Sequence, residues 1–136
     1  MKIQDLDGNI HKWKIEGSIV RSNDQRPRSQ LHLTARSLIK EIYPTLQICE
    51  EVSAQIKRDR KVFLDFYINT IKTVVEVHGQ QHYKFNSLYH TSAQDFLNQK
   101  KRDQDLQDWC VLNNLNYIEL PFNEDKDKWH QRFIKI

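Results

Sequence analysis

The chain has 136 residues, a length that suggests one domain able to bury a core without covalent staples. Charged residues make up 29% and hydrophobic residues 38%, the composition of an ordinary soluble domain, and no apolar run approaches the roughly 18 residues that span a bilayer. Residues 1–10 carry Lys2, Asp5 and Asp7 without an apolar stretch, so they do not read as a signal peptide, and Cys49 and Cys110 are too few for a disulfide framework or a cysteine zinc site. The two thiols read as buried cysteines in a reducing cytosol.

The net charge of +3 says less than its distribution. Basic residues gather at Lys12, Lys14, Arg21, Arg26 and Arg28, at Lys57, Arg58, Arg60 and Lys61, and at Lys100, Lys101 and Arg102. Clustered cations suit phosphate binding, because each neutralised phosphate releases condensed counterions. A solvated surface has the same look.

In chain order, residues 3–15 read as a hairpin with Asp7-Gly8-Asn9 at its turn. Residues 21–28 read as a linker or basic arm. Ser29 is a candidate N-cap for a helix over residues 30–43, with Leu31, Ala35, Leu38, Ile39 and Ile42 on one face and Pro44 as its stop. A strand is expected over 48–52, a charged loop over 57–61, and alternating strands over 62–68 and 71–78 with Asn69-Thr70 as a tight turn. Residues 79–91 form a loop rich in His, Gln and Tyr. Ser92 and Asp95 open a long helix to about residue 113, followed by a strand at 117–120 and a helix at 125–133. The order predicts an α/β fold with a mixed sheet.

If Asn69-Thr70 is a two-residue turn, Asp65 faces Val74 and Phe63 faces Glu76. Asp65 and Glu76 are then diagonal neighbours on one sheet face, within reach of a single cation. Two such carboxylates repel unless a cation or proton lies between them; an exposed sheet face would also tolerate them. Lys72 and His78 share that face. In the long helix, Asp103 lies on the inward stripe with Phe96, Leu106 and Cys110, where a carboxylate needs a partner. Gly79 permits a sharp turn beside Glu76, and Gln81 and His82 in that loop suit orienting water or a phosphate oxygen. A zinc site from His78, His82 and His90 competes with this reading, as does a His-Asn-His nuclease built on His82, Asn86 and His90. The first needs a helix where Gly79 and a strand stand. The second needs a helix start earlier than Ser92.

The run Phe63-Leu64-Asp65-Phe66-Tyr67, then Val74-Val75-Glu76-Val77-His78-Gly79-Gln80-Gln81-His82-Tyr83, then Lys101-Arg102-Asp103, Trp109-Cys110 and Tyr117-Ile118-Glu119-Leu120-Pro121, resembles phage-encoded endonucleases similar to the very-short-patch-repair and homing endonucleases. The resemblance covers about residues 29–121. It implies a PD-(D/E)XK nuclease-like core (helix, three-strand meander, helix, strand) over residues 29–136, with residues 1–28 as an N-terminal hairpin and arm and a C-terminal helix. It implies Asp65 and Glu76 as ligands of Mg²⁺ or Mn²⁺, with His78, Gln81 and His82 as catalytic partners and His32 and Asp103 as accessories. Three departures stand out. His78 occupies the place of the usual Lys, where many relatives carry Asp. Gln80 stands where an acidic residue is common, and His32 replaces a first-helix Glu. The implied function is a site-specific, homing-type double-stranded DNA endonuclease in the cytoplasm of an infected bacterium, with no membrane partner. A homodimer or higher even oligomer is expected, because one chain carries one carboxylate pair. The basic clusters, Arg21, Arg26, Arg28, Lys57, Arg58, Arg60, Lys61, Lys100 and Lys101, are the expected DNA contacts. A mismatch- or structure-specific nicking enzyme and an inactive DNA-binding module are the alternatives.

Overall fold

The computed structural model describes residues 1–15, 18–19, 29–83, 90 and 92–135. Strands β1 (Lys2–Gln4) and β2 (Ile10–Lys12) form an antiparallel hairpin. A five-stranded sheet follows, in the order β3 (Ser18–Ile19), β4 (Cys49–Lys57), β5 (Arg60–Ile68), β6 (Thr73–His78) and β7 (Asn116–Pro121). All neighbours are antiparallel except β6 and β7, which run parallel. A parallel pair needs a long crossover, and α2 (Ala93–Leu112) supplies it. Helix α1 (Gln30–Ile42) precedes β4, and α3 (Lys126–Ile134) ends the chain.

The helices are capped and striped as their sequences require. The Ser29, Ser92 and Asp125 side chains accept from the third residue beyond each of them. Ala35, Leu38 and Ile39 of α1 meet Trp129 and Phe133 of α3 over Phe66, Ile68, Val75, Ile118 and Leu120 of the sheet. On the other face, Leu106, Trp109 and Cys110 of α2 pack with Tyr67, Val74 and the hairpin residues Ile3 and Trp13.

The hairpin is thus part of the core rather than an arm outside it. Gly8, at φ +93°, makes the turn that only glycine adopts cheaply. The buried Asp5 carboxylate accepts from the backbone of Asp7 and Asn9 and pairs with His11. Trp13 lies between Tyr67 and Trp109, at 4.8 and 5.5 Å, and donates its indole N–H to the Ser53 carbonyl. The expected basic arm residues Arg21, Arg26 and Arg28 lie outside the described residues.

Two further expectations change. Residues 57–61 are not a loop: β4 runs through Lys57, turns at Arg58 and Asp59, and returns as β5. The turn after β5 is a 3-10 segment, Asn69–Ile71, closed by Lys72 at φ +50°, so it spans four residues rather than two. The pairing shifts accordingly, to Phe66 with Val75, Tyr67 with Val74 and Ile68 with Thr73.

Candidate active site

Strand β5 changes character at Asp65. Its pairing with β6 ends at Phe66, while its pairing with β4 continues to Arg60. Glu51, beside Asp65 on β4, takes φ +53°. Phe66 and Ile68 point into the α1–α3 core, whereas Val62 and Leu64, of the same parity, pack on the α2 side. A regular strand cannot do this. The β4–β5 ribbon therefore bends away from β6 at Asp65. Beyond the last paired residue, the Val77 N–H donates to Asp65 Oδ2 at 2.8 Å instead of to a strand carbonyl.

Asp65 and Glu76 flank the last β5–β6 pair, Phe66 with Val75, and their carboxyl groups interact directly although β5 leaves β6 there. Glu76 is only 8% exposed. Burial first, then the charge and hydrogen bond of Asp65, push its carboxyl well above the ordinary range, and Asp103 adds to the effect. A second proton or a cation relieves this crowding. The donors are carboxylate oxygens side by side, with room on the Asp65 flank, so the set fits a hard divalent ion such as Mg²⁺.

Behind the carboxylates stand two stacked imidazoles. His78, buried at the end of β6, has Nδ1 3.0 Å from Glu119 Oε1. Glu119 is brought there by the parallel register, which seats it beside Glu76. The Tyr83 hydroxyl donates to Glu119 Oε2 at 2.8 Å. The bond from His78 outweighs partial burial and holds the Glu119 carboxyl down at about 2. His82 follows Gly79 in a 3-10 turn, and its ring lies 4.1 Å from that of His78 at an interplanar angle of 5°. Its Nδ1 is 2.9 Å from Asp103 Oδ2, and the Gln99 amide approaches its Nε2 at 3.2 Å. Gln99 and Asp103 are one helical turn apart on α2, so that helix grips His82 twice. Burial and Glu76 also raise the Tyr117 hydroxyl and push the Cys110 thiol up to about 12, leaving both protonated.

His78, His82 and Asp103 present ligand atoms within 4.8 Å of one another. Parallel rings, however, aim their in-plane lone pairs along parallel lines that do not converge on one ion, and each Nδ1 already faces a carboxylate. His90 bonds to Gln99 at 2.8 Å rather than completing a His trio. Asn86 lies outside the described residues.

The remaining expected residues divide. His32 lines a hollow with Asp65, Gly79, Gln80 and Phe122, stacked on Phe66 at 4.5 Å. Its Nε2 lies 2.9 Å from the fully buried Glu50, which also takes Arg36 at 2.7 and 3.0 Å. The Gln81 side chain lies outside the described residues. Lys57 and Arg60, expected as DNA contacts, both reach the buried Asp105 of α2, Lys57 at 3.2 Å, and tie the β4–β5 ribbon to that helix. Arg58, Lys61, Lys100 and Lys101 are exposed, with Lys100 5.2 Å above the Tyr83 ring. Arg60, Asp95, Asn98, Gln99, Lys101 and Arg102 line an open hollow, and the Gln99 of its wall also reaches His82. Glu119, Tyr83 and Gln99 were not singled out from sequence, where the one available signal was the i, i+4 spacing of Gln99 with Asp103.

No family model matches the chain, and no solved structure matches it. It is similar to Uncharacterized protein 307L of Invertebrate iridescent virus 6, 39% identical over 59 residues, which is 43% of this chain and 30% of that protein. Uncharacterized protein 033L of Invertebrate iridescent virus 3 is 36% identical over 59 residues, 43% of this chain and 30% of its own length. Uncharacterized protein 094L of Frog virus 3 (isolate Goorha) is 34% identical over 64 residues, 46% of this chain and 41% of its own. The matches thus span less than half of each relative. No helix among the described residues is long and apolar enough to cross a membrane.

Proposed function

We propose that this chain is a metal-dependent DNA endonuclease with a PD-(D/E)XK-type core, acting on double-stranded DNA as a site-specific, homing-type enzyme. The observation that carries the reading is the Asp65–Glu76 pair: a buried carboxyl beside a second one, at the point where β5 leaves β6. Crowding of this kind destabilises a fold and is retained where a cation is to be held.

Asp65 and Glu76 would hold Mg²⁺ or Mn²⁺, and an ion bound there would supply polarisation of the scissile phosphate and a lowered pKa of the attacking water. The protein does the rest by position. His78 orients the water for in-line attack on phosphorus. His82, gripped by Asp103, orients a second water that gives a proton to the departing oxygen as the P–O bond breaks. The hollow lined by Lys101 and Arg102 leads DNA phosphates toward His82. A second reading, an inactive DNA-binding module, draws on one observation: His78 stands where the motif places Lys.

The test is incubation with supercoiled plasmid and mixed viral and host DNA in Mg²⁺, followed by sequencing of the ends. Cleavage is expected in Mg²⁺ and not in EDTA, and Asp65→Ala and Glu76→Ala should each lower it at least about 1,000-fold while binding persists. DNA binding without cleavage would favour the inactive module. Cleavage by either variant at near the parental rate would remove the metal assignment.

A further inference from the structure

We propose that Glu119 is a positioning residue for His78: it fixes the imidazole as the Nδ1–H tautomer, leaving Nε2, which the Tyr117 hydroxyl approaches, as the ring's acceptor, and Tyr83 locks Glu119 in turn. The consequence for catalysis rests on the nuclease reading; the consequence for the imidazole does not.

Both faces of the ring agree on this tautomer. A carboxylate only accepts, so Nδ1, 3.0 Å from Glu119 Oε1, must carry the proton. On the other side the Tyr117 hydroxyl lies 3.5 Å from Nε2, where a neutral ring can accept its proton. The second Glu119 oxygen is taken by the Tyr83 hydroxyl at 2.8 Å, which stops the carboxylate from turning. His82 repeats the plan, with Asp103 on Nδ1, while the Gln99 amide nitrogen lies 3.2 Å from its Nε2 and 3.4 Å from its Nδ1. The two stacked rings thus each carry a carboxylate on the same nitrogen. Orienting partners of this sort set tautomer and ring direction, and losing one costs about 10- to 100-fold in activity. His78 has special need of one. It stands two residues past Glu76, where a flexible Lys would find its own position, whereas an imidazole has one productive nitrogen and two ring orientations.

The experiment has two arms. In metal-free protein, long-range ¹H–¹⁵N spectra should show His78 as the Nδ1–H form. Glu119→Ala should move it toward Nε2–H, and Glu119→Gln should keep it, because an amide oxygen still accepts. His82 should not change in either variant. In Mg²⁺, single-turnover cleavage of plasmid should slow about 10- to 100-fold in Glu119→Ala with the half-saturating protein concentration within about two-fold of the parent, and Glu119→Gln should recover most of the rate. Tyr83→Phe should produce a smaller loss of the same kind. An unchanged His78 tautomer in Glu119→Ala, or an unchanged rate, overturns the proposal. If Glu119→Ala fails to fold, a Glu119→Gln variant that loses the Nδ1–H form overturns it as well. A parent protein with the expected tautomer that cleaves nothing overturns the nuclease reading instead.

Discussion

Glu76 shows how a single residue reveals a site by being badly placed for stability. Without a cation, burial and Asp65 raise its carboxyl, so the folded state keeps a proton at a pH where the unfolded chain has released it. Stability then falls as pH rises from the ordinary carboxylate range through the folded value, because over that window the native state binds more protons. Glu76→Gln keeps the shape and removes the titration. In EDTA at pH 7 the variant should therefore be more stable than the parent by about 0.5–2 kcal/mol, with most of the gain gone at pH 4, and it should not cleave DNA. Urea unfolding at both pH values measures this; a Gln variant less stable than the parent at pH 7 would show that Glu76 is a structural hydrogen-bonding group. That Asp65 and Glu76 come close was legible from the alternation. The pairing that brings them there was not, because it depends on Lys72 adopting positive φ and lengthening the turn. Glu119 was further out of reach. Its place beside Glu76 follows from parallel pairing across the 20-residue helix α2, which no local pattern specifies.

At the scale of elements, helices and strands follow the periodicity closely, and the errors lie in what packs on what. Asp7-Gly8-Asn9 announces a hairpin but says nothing of its destination. The partners of Trp13, at Ser53, Tyr67 and Trp109, are distant in sequence. Charge patterning has a related blind spot: it does not show that Lys57 and Arg60 also reach Asp105 of α2. Because Trp13 is buried between two large aromatic rings, Trp13→Ala should cost about 3–5 kcal/mol. Deleting residues 1–15 should abolish cooperative unfolding, since it would also bare Tyr67 and Trp109. Circular dichroism during urea titration reports both effects. A truncated protein with the parental midpoint would return the hairpin to the role of a detachable arm.

At the scale of the whole molecule, the nuclease reading has to account for how one domain would cut two strands. Among the described residues there is one Asp65–Glu76 pair, so a double-strand break needs two chains or two successive visits. The aromatic residues of α3 that might have joined two chains are spent internally: Trp129 and Phe133 are 2% and 3% exposed in the α1–α3 core. The exposed apolar side chains, including Ile10, Phe63, Leu97, Val111 and Ile134, are spread over the hairpin, β5, α2 and α3. A stable dimer buries about 1,200 Å² or more, centred on a contiguous apolar patch, and the scattered residues among those described do not make one. On the nuclease reading, pairing is expected on DNA, where the duplex supplies the common surface. Light scattering of the free protein should give a mass near 16.4 kDa. On supercoiled plasmid, nicked circles should precede linear product, and the rate of linear product should rise with about the square of protein concentration. An excess of Asp65→Ala protein should then shift the parent's products from linear toward nicked, because each mixed pair cuts one strand. A free protein of twice that mass, or a product ratio indifferent to the inactive variant, would place the second cut in a preformed dimer or in independent monomers respectively.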